Sequence, residues 1–133
     1  MRYKALSVKQ PWAGLIAQGV KTIETRRWAT NYRGPLLLCA SKSMDMQAFY
    51  WLESQGHKLG APSGLNCGVA VCLADLVGCR RMTDQDVAAA CCDIYHGAWA
   101  WDLGNVRKLK DPLPAVRGQQ GLFTVDLERV VFE

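Results

Sequence analysis

Hydrophobic and polar residues alternate or cluster along several short stretches of the chain, which is the pattern of strands with at least one buried face. The predicted strands are Tyr3–Lys9, Thr22–Arg26, Leu36–Ala40, Gly68–Arg80, Gly97–Asp102 and Gly121–Phe132. Gly78, inside the long fourth stretch, could mark a bulge or a bend. The stretch Leu109–Gly118 is predicted to be extended, but its prolines disfavour a central strand.

Three short helices are predicted between these strands. The first spans Pro11–Gln18, because proline is favoured at the start of a helix. The second spans Met44–Gln55 and has Ser43 as its N-cap. The third begins at Thr83 and runs to about Cys92. Because closure is a common remedy for exposed strand edges, this mixture predicts an α+β fold, a small mixed β-barrel with about three short helices.

The chain has 133 residues, of which 50% are hydrophobic and 21% are charged. This composition is that of a globular protein, and the length predicts a single domain over residues 1–133. No apolar run approaches the roughly 18 residues that cross a bilayer, which excludes an integral membrane protein. The N-terminus lacks the basic, apolar and small-residue regions of a secretory signal, so the expected compartment is the cytoplasm.

Six cysteines are many for this length, but none of them has the CxxC spacing of a zinc knuckle or a redox motif. Only two histidines could add imidazole ligands. Without a secretory signal, and with mostly apolar or small neighbours, the cysteines are expected to be reduced and mostly buried. The sequence has no phosphate-binding loop and no serine nucleophile motif, and neither a metal nor a cofactor is predicted.

The formal net charge of +4 is unevenly distributed along the chain. Up to Arg33 there are seven basic residues and one acidic residue, Glu24, whereas from Cys67 onward there are seven basic and nine acidic residues. This asymmetry suggests a cationic face toward phosphates or another anion. The alternative is that many of these side chains only solvate the surface.

The densest polar segment is Gly19–Arg27, with the sequence GVKTIETRR. In an extended chain, Thr22, Glu24 and Arg26 project to one face. Lys21 could hold a phosphate, or act as a base if burial removes its proton. Glu24 could orient that lysine, shuttle a proton or accept a hydrogen bond from the exocyclic amine of a base. The alternative is a surface strand with a structural Glu–Arg pair, which contributes little energetically.

Two neighbouring motifs carry a resemblance to a known family. The segment Leu6–Ala13, with the sequence LSVKQPWA, precedes the pattern GxKxxExR at Gly19–Arg26. Together they resemble the ASCH family, named for activating signal cointegrator homology, whose signature is GxKxxExR. The likeness continues through the strand of Asp75, the segment Trp99–Trp101 and the segment Val116–Gly118, so it covers nearly the whole chain.

The resemblance implies a PUA-like fold, which is a small β-barrel with helices closing its ends and a cleft beside the signature. It also implies RNA or related nucleic-acid ligands and, in some members, hydrolysis. One enzymatic branch removes acyl groups from N4-acylated cytidine nucleosides with a signature Lys, a Thr three residues later and a Glu from a later helix. Lys21 matches the first position, but Glu24 stands at the second, flanked by Thr22 and Thr25. The helix predicted from Thr83 contains no glutamate.

The predicted function is binding of RNA, single-stranded nucleic acid or a modified nucleoside through a basic cleft centred on the signature. The residues predicted to contact this ligand are Lys9, Trp12, Lys21, Glu24, Arg26, Arg27, Arg33, Lys42 and Arg117. Trp12 is the preferred stacking residue. Trp99 and Trp101 share one face of a strand and are expected in the core instead.

Two alternatives stay open at this point. One is an amidohydrolase for N4-acylated cytidine-type nucleosides, with Lys21, Glu24 and Thr22 as its catalytic residues, or a ribonuclease-like enzyme of the kind implied by a further branch of the family. The other is a protein-interaction module. No membrane partner is expected, and the sequence does not predict the oligomeric state.

Overall fold

The computed structural model describes residues 1–113, 118–127 and 130–133, in which six strands form one mixed sheet. The strands are β1 (Arg2–Gln10), β2 (Ile23–Arg26), β3 (Gly34–Met44), β4 (Ala70–Arg81), β5 (Trp99–Leu113) and β6 (Leu122–Asp126). The α-helices are α1 (Trp12–Ala17), α2 (Met46–Ser54) and α3 (Val87–Ala90), and 3₁₀ turns lie at Pro62–Gly64 and Asp84–Asp86. These elements confirm the predicted α+β fold with about three short helices.

The strand order in the sheet is β2-β5-β4-β3-β1-β6, and β1 and β3 are the parallel pair of an otherwise antiparallel arrangement. Within the described residues, no ladder joins β2 to β6, so the sheet is open where the sequence predicts a closed barrel. Two features explain the opening. β6 follows β1 only as far as the pair Leu6↔Leu122, and β2 is only four residues long.

The core lies on both faces of the central strands. Leu36–Ala40 of β3 is buried along its whole length, as predicted. Alternate residues pack on opposite faces of the sheet: Leu36 and Leu38 join the cluster that contains α1, whereas Leu37 joins the cluster that contains β6. A strand that is covered on both faces needs a continuous apolar run, and this requirement explains the LLLCA sequence of β3.

The start of α2 differs from the prediction. β3 continues to Met44, which pairs with Gln10 of β1, so Ser43 lies in the strand and does not cap the helix. The N-cap is Asp45, whose carboxylate accepts a hydrogen bond from the Ala48 backbone N–H at 3.0 Å. Both Ser and Asp are good N-cap residues, and the pairing of β3 with β1 decides between them.

β5 is longer than the sequence predicts. It runs for 15 residues, and its ladder with β4 reaches the pair Ala70↔Leu113. The extended conformation predicted for Leu109–Gly118 is confirmed as far as Leu113, and residues 114–117 lie outside the described part of the chain. This end of β5 is not central, because β2 pairs only with Trp99–Asp102, and its ladder with β4 is irregular between the pairs Cys72↔Lys108 and Ala70↔Leu113. One of the register shifts in this ladder lies beside Gly78 and confirms the irregularity predicted there.

Two predicted elements are shorter in the structure. Of the strand expected over Gly121–Phe132, the described residues show β6 and an isolated bridge between Leu109 and Phe132, and residues 128 and 129 lie outside them. The third helix begins after Thr83, as predicted, in a capping box that the structure shows in full. It consists of a 3₁₀ turn and the four residues of α3, and it ends where Cys91 adopts a left-handed backbone conformation.

Asp86 anchors the start of this helical segment. Its carboxylate accepts hydrogen bonds from Nη1 and Nη2 of Arg80, at 2.7 and 2.9 Å, and from the Thr83 backbone N–H at 2.8 Å. The hydrogen bonds from the Arg80 guanidinium and then from Thr83 lower the pKa of the Asp86 carboxyl to about 2. The pair ties the end of β4 to α3, which packs against Ile23 of β2.

All six cysteines lie in the described residues and are free thiols, as predicted. Three of them are buried, namely Cys39, Cys72 and Cys91, and the other three are half-buried. Burial raises the pKa of the Cys39 and Cys72 thiols to about 12, so both behave as small apolar core residues. None of the helices in the described part of the chain has the length and apolar character that a membrane crossing requires.

Asp86→Asn should lower the free energy of unfolding by about 1 kcal/mol at neutral pH, since Arg80 is half exposed and solvent screens the pair. The Asp86 pKa is depressed in the folded state, so the carboxylate stabilises the fold at pH values above its ordinary pKa. This contribution is lost as the pH falls toward about 2. Urea titrations at several pH values should show the difference between wild type and variant shrinking below about pH 4. A difference that stays constant would contradict this role.

Candidate functional site

A cavity of about 1200 Å³ lies between β1 and β2, and we refer to it as the β1–β2 cleft. Its walls include Ser7–Lys9 of β1, Glu24–Trp28 in and after β2, and Ala40–Lys42 of β3. The cleft exists because β6 pairs with β1 only as far as Leu6. In the described part of the chain, the outer edge of β1 beyond Leu6 has no neighbouring strand, while β2 pairs with β5 on its far side.

Lys21 forms the floor of the cleft and is only 1% exposed. Its ammonium group donates a hydrogen bond to the backbone carbonyl of Ala90, at the end of α3. The same nitrogen lies 3.5 Å from Oε1 of Glu24 and 6.0 Å from the centre of the Trp12 ring. A buried ammonium requires acceptors around it, and here a carbonyl, a carboxylate and an aromatic face supply them.

Glu24 connects Lys21 to Arg26. Its Oε2 accepts a hydrogen bond from Nε of Arg26 at 3.0 Å and lies 2.9 Å from Nη2 of the same guanidinium. Nη2 of Arg26 also donates to the backbone carbonyl of Ser7 at 2.6 Å, so the guanidinium spans the gap between β2 and β1. The structure thus brings together the three polar residues of the signature, which form a buried cluster of two cations and one anion.

Three exposed cations, Lys9, Arg27 and Lys42, line the cleft around this floor, and none of them is ion-paired within the described residues. The Arg27 guanidinium lies 5.3 Å from the centre of the Tyr95 ring. Burial raises the pKa of the Tyr95 phenol, which is therefore neutral near pH 7. Asp45 also lines the cleft, but its carboxylate caps α2. The cleft therefore presents mainly positive charge.

Of the remaining predicted site residues, Trp12 lines the cleft and is half-buried. Thr22 is exposed and does not line the cleft, where the threonine is Thr25 instead. Arg33 does not line it either, and its Nη1 donates to two backbone carbonyls of its own loop, at 2.8 and 2.9 Å. Arg117 lies outside the described residues.

The sequence-based site omits two aromatic side chains that line the cleft, Trp28 and Tyr95. Trp28 is 37% exposed, and its ring meets that of Trp101 edge to face with the ring centres 4.7 Å apart. Trp101 is buried, as predicted, and donates through Nε1 to the Trp28 carbonyl at 3.2 Å. Trp28 could have been predicted as a site residue, because it lies two residues after the signature. Tyr95 could not, because it lies in the loop after α3, which no sequence pattern links to the cleft.

A mixed six-stranded sheet, short helices and a large cationic cleft at an open sheet edge define a small α+β domain with a preformed concave site. The sequence pattern of the family described as ASCH domain matches residues 6–113 of the chain. The chain therefore belongs to the ASCH domain family, and the resemblance drawn from the two motifs is confirmed.

Two curated relatives are the proteins named Activating signal cointegrator 1 from Homo sapiens and Mus musculus. The human protein is 35% identical over 81 residues, which cover 56% of this chain, and the mouse protein is 33% identical over the same length. The matched region is only 14% of each relative, so the chain spans a small part of their length.

Solved structures show the same fold at low sequence identity. The crystal structure of ASCH from Zymomonas mobilis superposes with a TM-score of 0.62 at 14% identity, covering 95% of this chain and 89% of that one. The structure of a variant of the same protein gives a TM-score of 0.58 at 13% identity, with coverages of 93% and 90%. These likenesses extend the shared fold over nearly the whole chain.

Glu24→Gln should lower the free energy of unfolding by about 3 kcal/mol, because a neutral amide leaves Lys21 and Arg26 without their shared counter-charge. Asp126→Asn is the matched control, since it removes one carboxylate from the exposed Arg2–Asp126 pair and should cost less than about 1 kcal/mol. Chemical denaturation of both variants measures the two losses. Equal losses would show that the buried cluster does not stabilise the fold as described.

Proposed function

We propose that this protein binds RNA or single-stranded nucleic acid through the β1–β2 cleft. The observation that carries the proposal is the placement of three exposed cations without ion-pair partners in the described residues, Lys9, Arg27 and Lys42, beside the exposed ring of Trp28. Cations next to aromatic rings match the two parts of a nucleic-acid strand, its phosphates and its bases. The chain belongs to the ASCH family. The resemblance to that family implies RNA ligands, which supports the same conclusion.

The phosphates are assigned to the exposed cations and not to the floor of the cleft. Lys21 is 1% exposed and already bonded to Ala90 and Glu24, and Arg26 is bonded to Glu24 and Ser7. Their role in the proposal is to keep the floor positive and the walls at a fixed separation. Lys9, Arg27 and Lys42 have exposed side chains that can follow a phosphate backbone at the mouth of the cleft.

The bases are assigned to the aromatic side chains. Trp28, Trp12 and Tyr95 all line the cleft, and Trp28 offers the largest exposed ring surface of the three. A base can stack on such a ring only if it is not already enclosed in a duplex, so the proposed ligand is an unpaired strand. The volume of about 1200 Å³ exceeds the roughly 300–1000 Å³ of a pocket for a drug-sized ligand, which favours several nucleotides over one nucleoside.

Binding is a better match to the site than hydrolysis of an acylated nucleoside. The Lys21 ammonium donates to a backbone carbonyl and lies beside a carboxylate, so it is placed as a held cation and not as a base. Both oxygens of Glu24 are engaged by cations, so this carboxylate is placed as a structural counter-charge and not as a group that moves a proton to a leaving amine. Thr22, the third residue of that hypothesis, does not line the cleft.

Lys9→Ala and Lys42→Ala should each weaken binding of a labelled single-stranded oligonucleotide several-fold at moderate salt. Each variant should also reduce the slope of log K against log salt concentration by about 0.7, because one phosphate contact is lost. Fluorescence anisotropy over a range of salt concentrations measures both quantities. Lys58→Ala is the matched control, since Lys58 is exposed but does not line the cleft. Unchanged slopes in both cleft variants, or an equal change in the control, would remove the basis of the proposal.

Trp28→Ala should weaken oligonucleotide binding by about 1–3 kcal/mol, the contribution of one base stacked on an aromatic ring. Tyr50→Ala is the control, because Tyr50 is 62% exposed on α2 and does not line the cleft. Competition by inorganic polyphosphate, which has charge but no bases, should be the same for Trp28→Ala and wild type. If the variant loses both ligands equally, Trp28 does not act through stacking.

A further inference from the structure

We infer that Cys91 is a positioning residue of the β1–β2 cleft, because its left-handed backbone directs two carbonyls, those of Ala90 and Cys91, toward Lys21 and Trp12. The backbone angles of Cys91 are φ 56° and ψ 31°. A non-glycine residue pays an energetic penalty in this region, and such a residue persists only where its surroundings hold it. The expected effect of Cys91 on oligonucleotide binding rests on the proposed function, whereas its effect on the placement of Lys21 and Trp12 does not.

The end of α3 has four carbonyls that need partners, because the last turn of a helix cannot bond them internally. The Ala88 carbonyl accepts from the Cys91 backbone N–H at 3.3 Å, and the Ala89 carbonyl accepts from the Thr22 backbone N–H at 2.9 Å. The other two carbonyls accept from side chains of the cleft. The end of α3 is therefore satisfied mainly by the signature segment and its neighbours.

The Ala90 carbonyl is the acceptor of the Lys21 ammonium. The carbonyl end of a helix carries partial negative charge, which favours a cation at this place. Lys21 is 1% exposed, so water cannot substitute if this carbonyl turns away. A change in the turn at Cys91 would leave the ammonium with only the Glu24 carboxylate and the Trp12 ring as partners and would displace it from its present position.

The Cys91 carbonyl accepts a hydrogen bond from Nε1 of Trp12 at 3.4 Å. This contact fixes one end of the indole that forms part of the cleft wall and faces the Lys21 ammonium. The same residue thus sets the direction of both carbonyls and, through them, the placement of the cation on the floor and of the ring beside it. The Cys91 side chain is buried against Leu15 and Leu52, which holds the turn in place.

A series of substitutions at Cys91 separates the backbone from the side chain. Glycine adopts a positive φ without strain, alanine with about the strain that cysteine already bears, and valine with severe strain because it is β-branched. Cys39→Val is the matched control, because Cys39 is also buried but lies in a β-strand, where valine is favoured. Each variant is characterised by thermal unfolding, by the Trp12 indole N–H resonance in the free protein, and by the Kd for a labelled oligouridylate.

We expect Cys91→Val to shift the Trp12 indole N–H resonance and to raise the Kd about tenfold. Cys91→Ala leaves the backbone strain unchanged and should keep both quantities near their wild-type values. Cys91→Gly should keep the wild-type resonance and a Kd within about twofold, which would be rescue by the variant that tolerates the backbone angle. Cys39→Val should leave both quantities unchanged. If Cys91→Val does not fold, Cys91→Thr replaces it, because threonine is also β-branched, and Cys91→Ala and Cys91→Gly must still keep the wild-type resonance and Kd.

Two results would overturn the inference. One is a Cys91→Val variant that unfolds at a lower temperature but keeps the wild-type resonance and Kd, because the residue would then only stabilise the fold. The other is a Cys91→Gly variant that is as impaired as Cys91→Val, because the thiol and not the backbone would then matter. Failure of wild type to bind any oligonucleotide would refute the proposed function, while the indole resonance would still test the positioning.

Discussion

The buried carboxylate of Glu24 stands between two cations, and this arrangement constrains everything around the cleft. Removing an ion from water costs several kcal/mol unless partners replace the lost hydration. Lys21 and Arg26 provide those partners, but only if the start of β2, the edge of β1 and the end of α3 keep fixed distances from one another. The ion cluster therefore depends on three separate elements, and it also ties those three elements together. The cleft has a defined floor because this cluster cannot be loosened at one point without exposing or unpairing a charge elsewhere.

The uneven distribution of charge along the sequence produces an uneven distribution of charge in the folded protein. In the C-terminal half, acidic side chains are engaged by arginines: Asp86 and Asp102 contact Arg80, and Asp75 contacts Arg107 at 2.6 Å. Up to Arg33, the basic residues outnumber the one acidic residue, Glu24, and several of them line the β1–β2 cleft. A net charge of only +4 can thus coexist with a strongly positive cleft, because the compensating carboxylates lie in other parts of the fold.

The local sequence pattern was sufficient to predict the strands and helix ends that depend on residues close together in the chain. The strands β1 and β2, the apolar run of β3 and the helix start at Thr83 all depend on short-range chemistry, and all appear at or near the places that the sequence predicts. The polar cluster was also accessible, because its three members lie within the signature itself.

Other features depend on contacts between segments that are far apart in the sequence, and the local pattern could not predict them. The choice of Asp45 over Ser43 as a cap follows from the pairing of Met44 with Gln10. The extension of β5 follows from the length of β4, and the place of Tyr95 in the cleft follows from the packing of α3.

The open edges of the sheet bear on what kind of ligand the cleft can accept. An unpaired strand edge invites another chain to add as a further strand, and short length and charged side chains are common protections against this. β2 has four residues, two of which are Glu24 and Arg26, and the Arg26 guanidinium already occupies the Ser7 carbonyl on the edge of β1. A peptide strand adding to β1 would have to displace that guanidinium and break the ion cluster. A polyanion has no such requirement, because it meets the exposed cations at the mouth and leaves the floor intact. The side chains that protect these edges from an added protein strand are therefore compatible with the proposed nucleic-acid ligand.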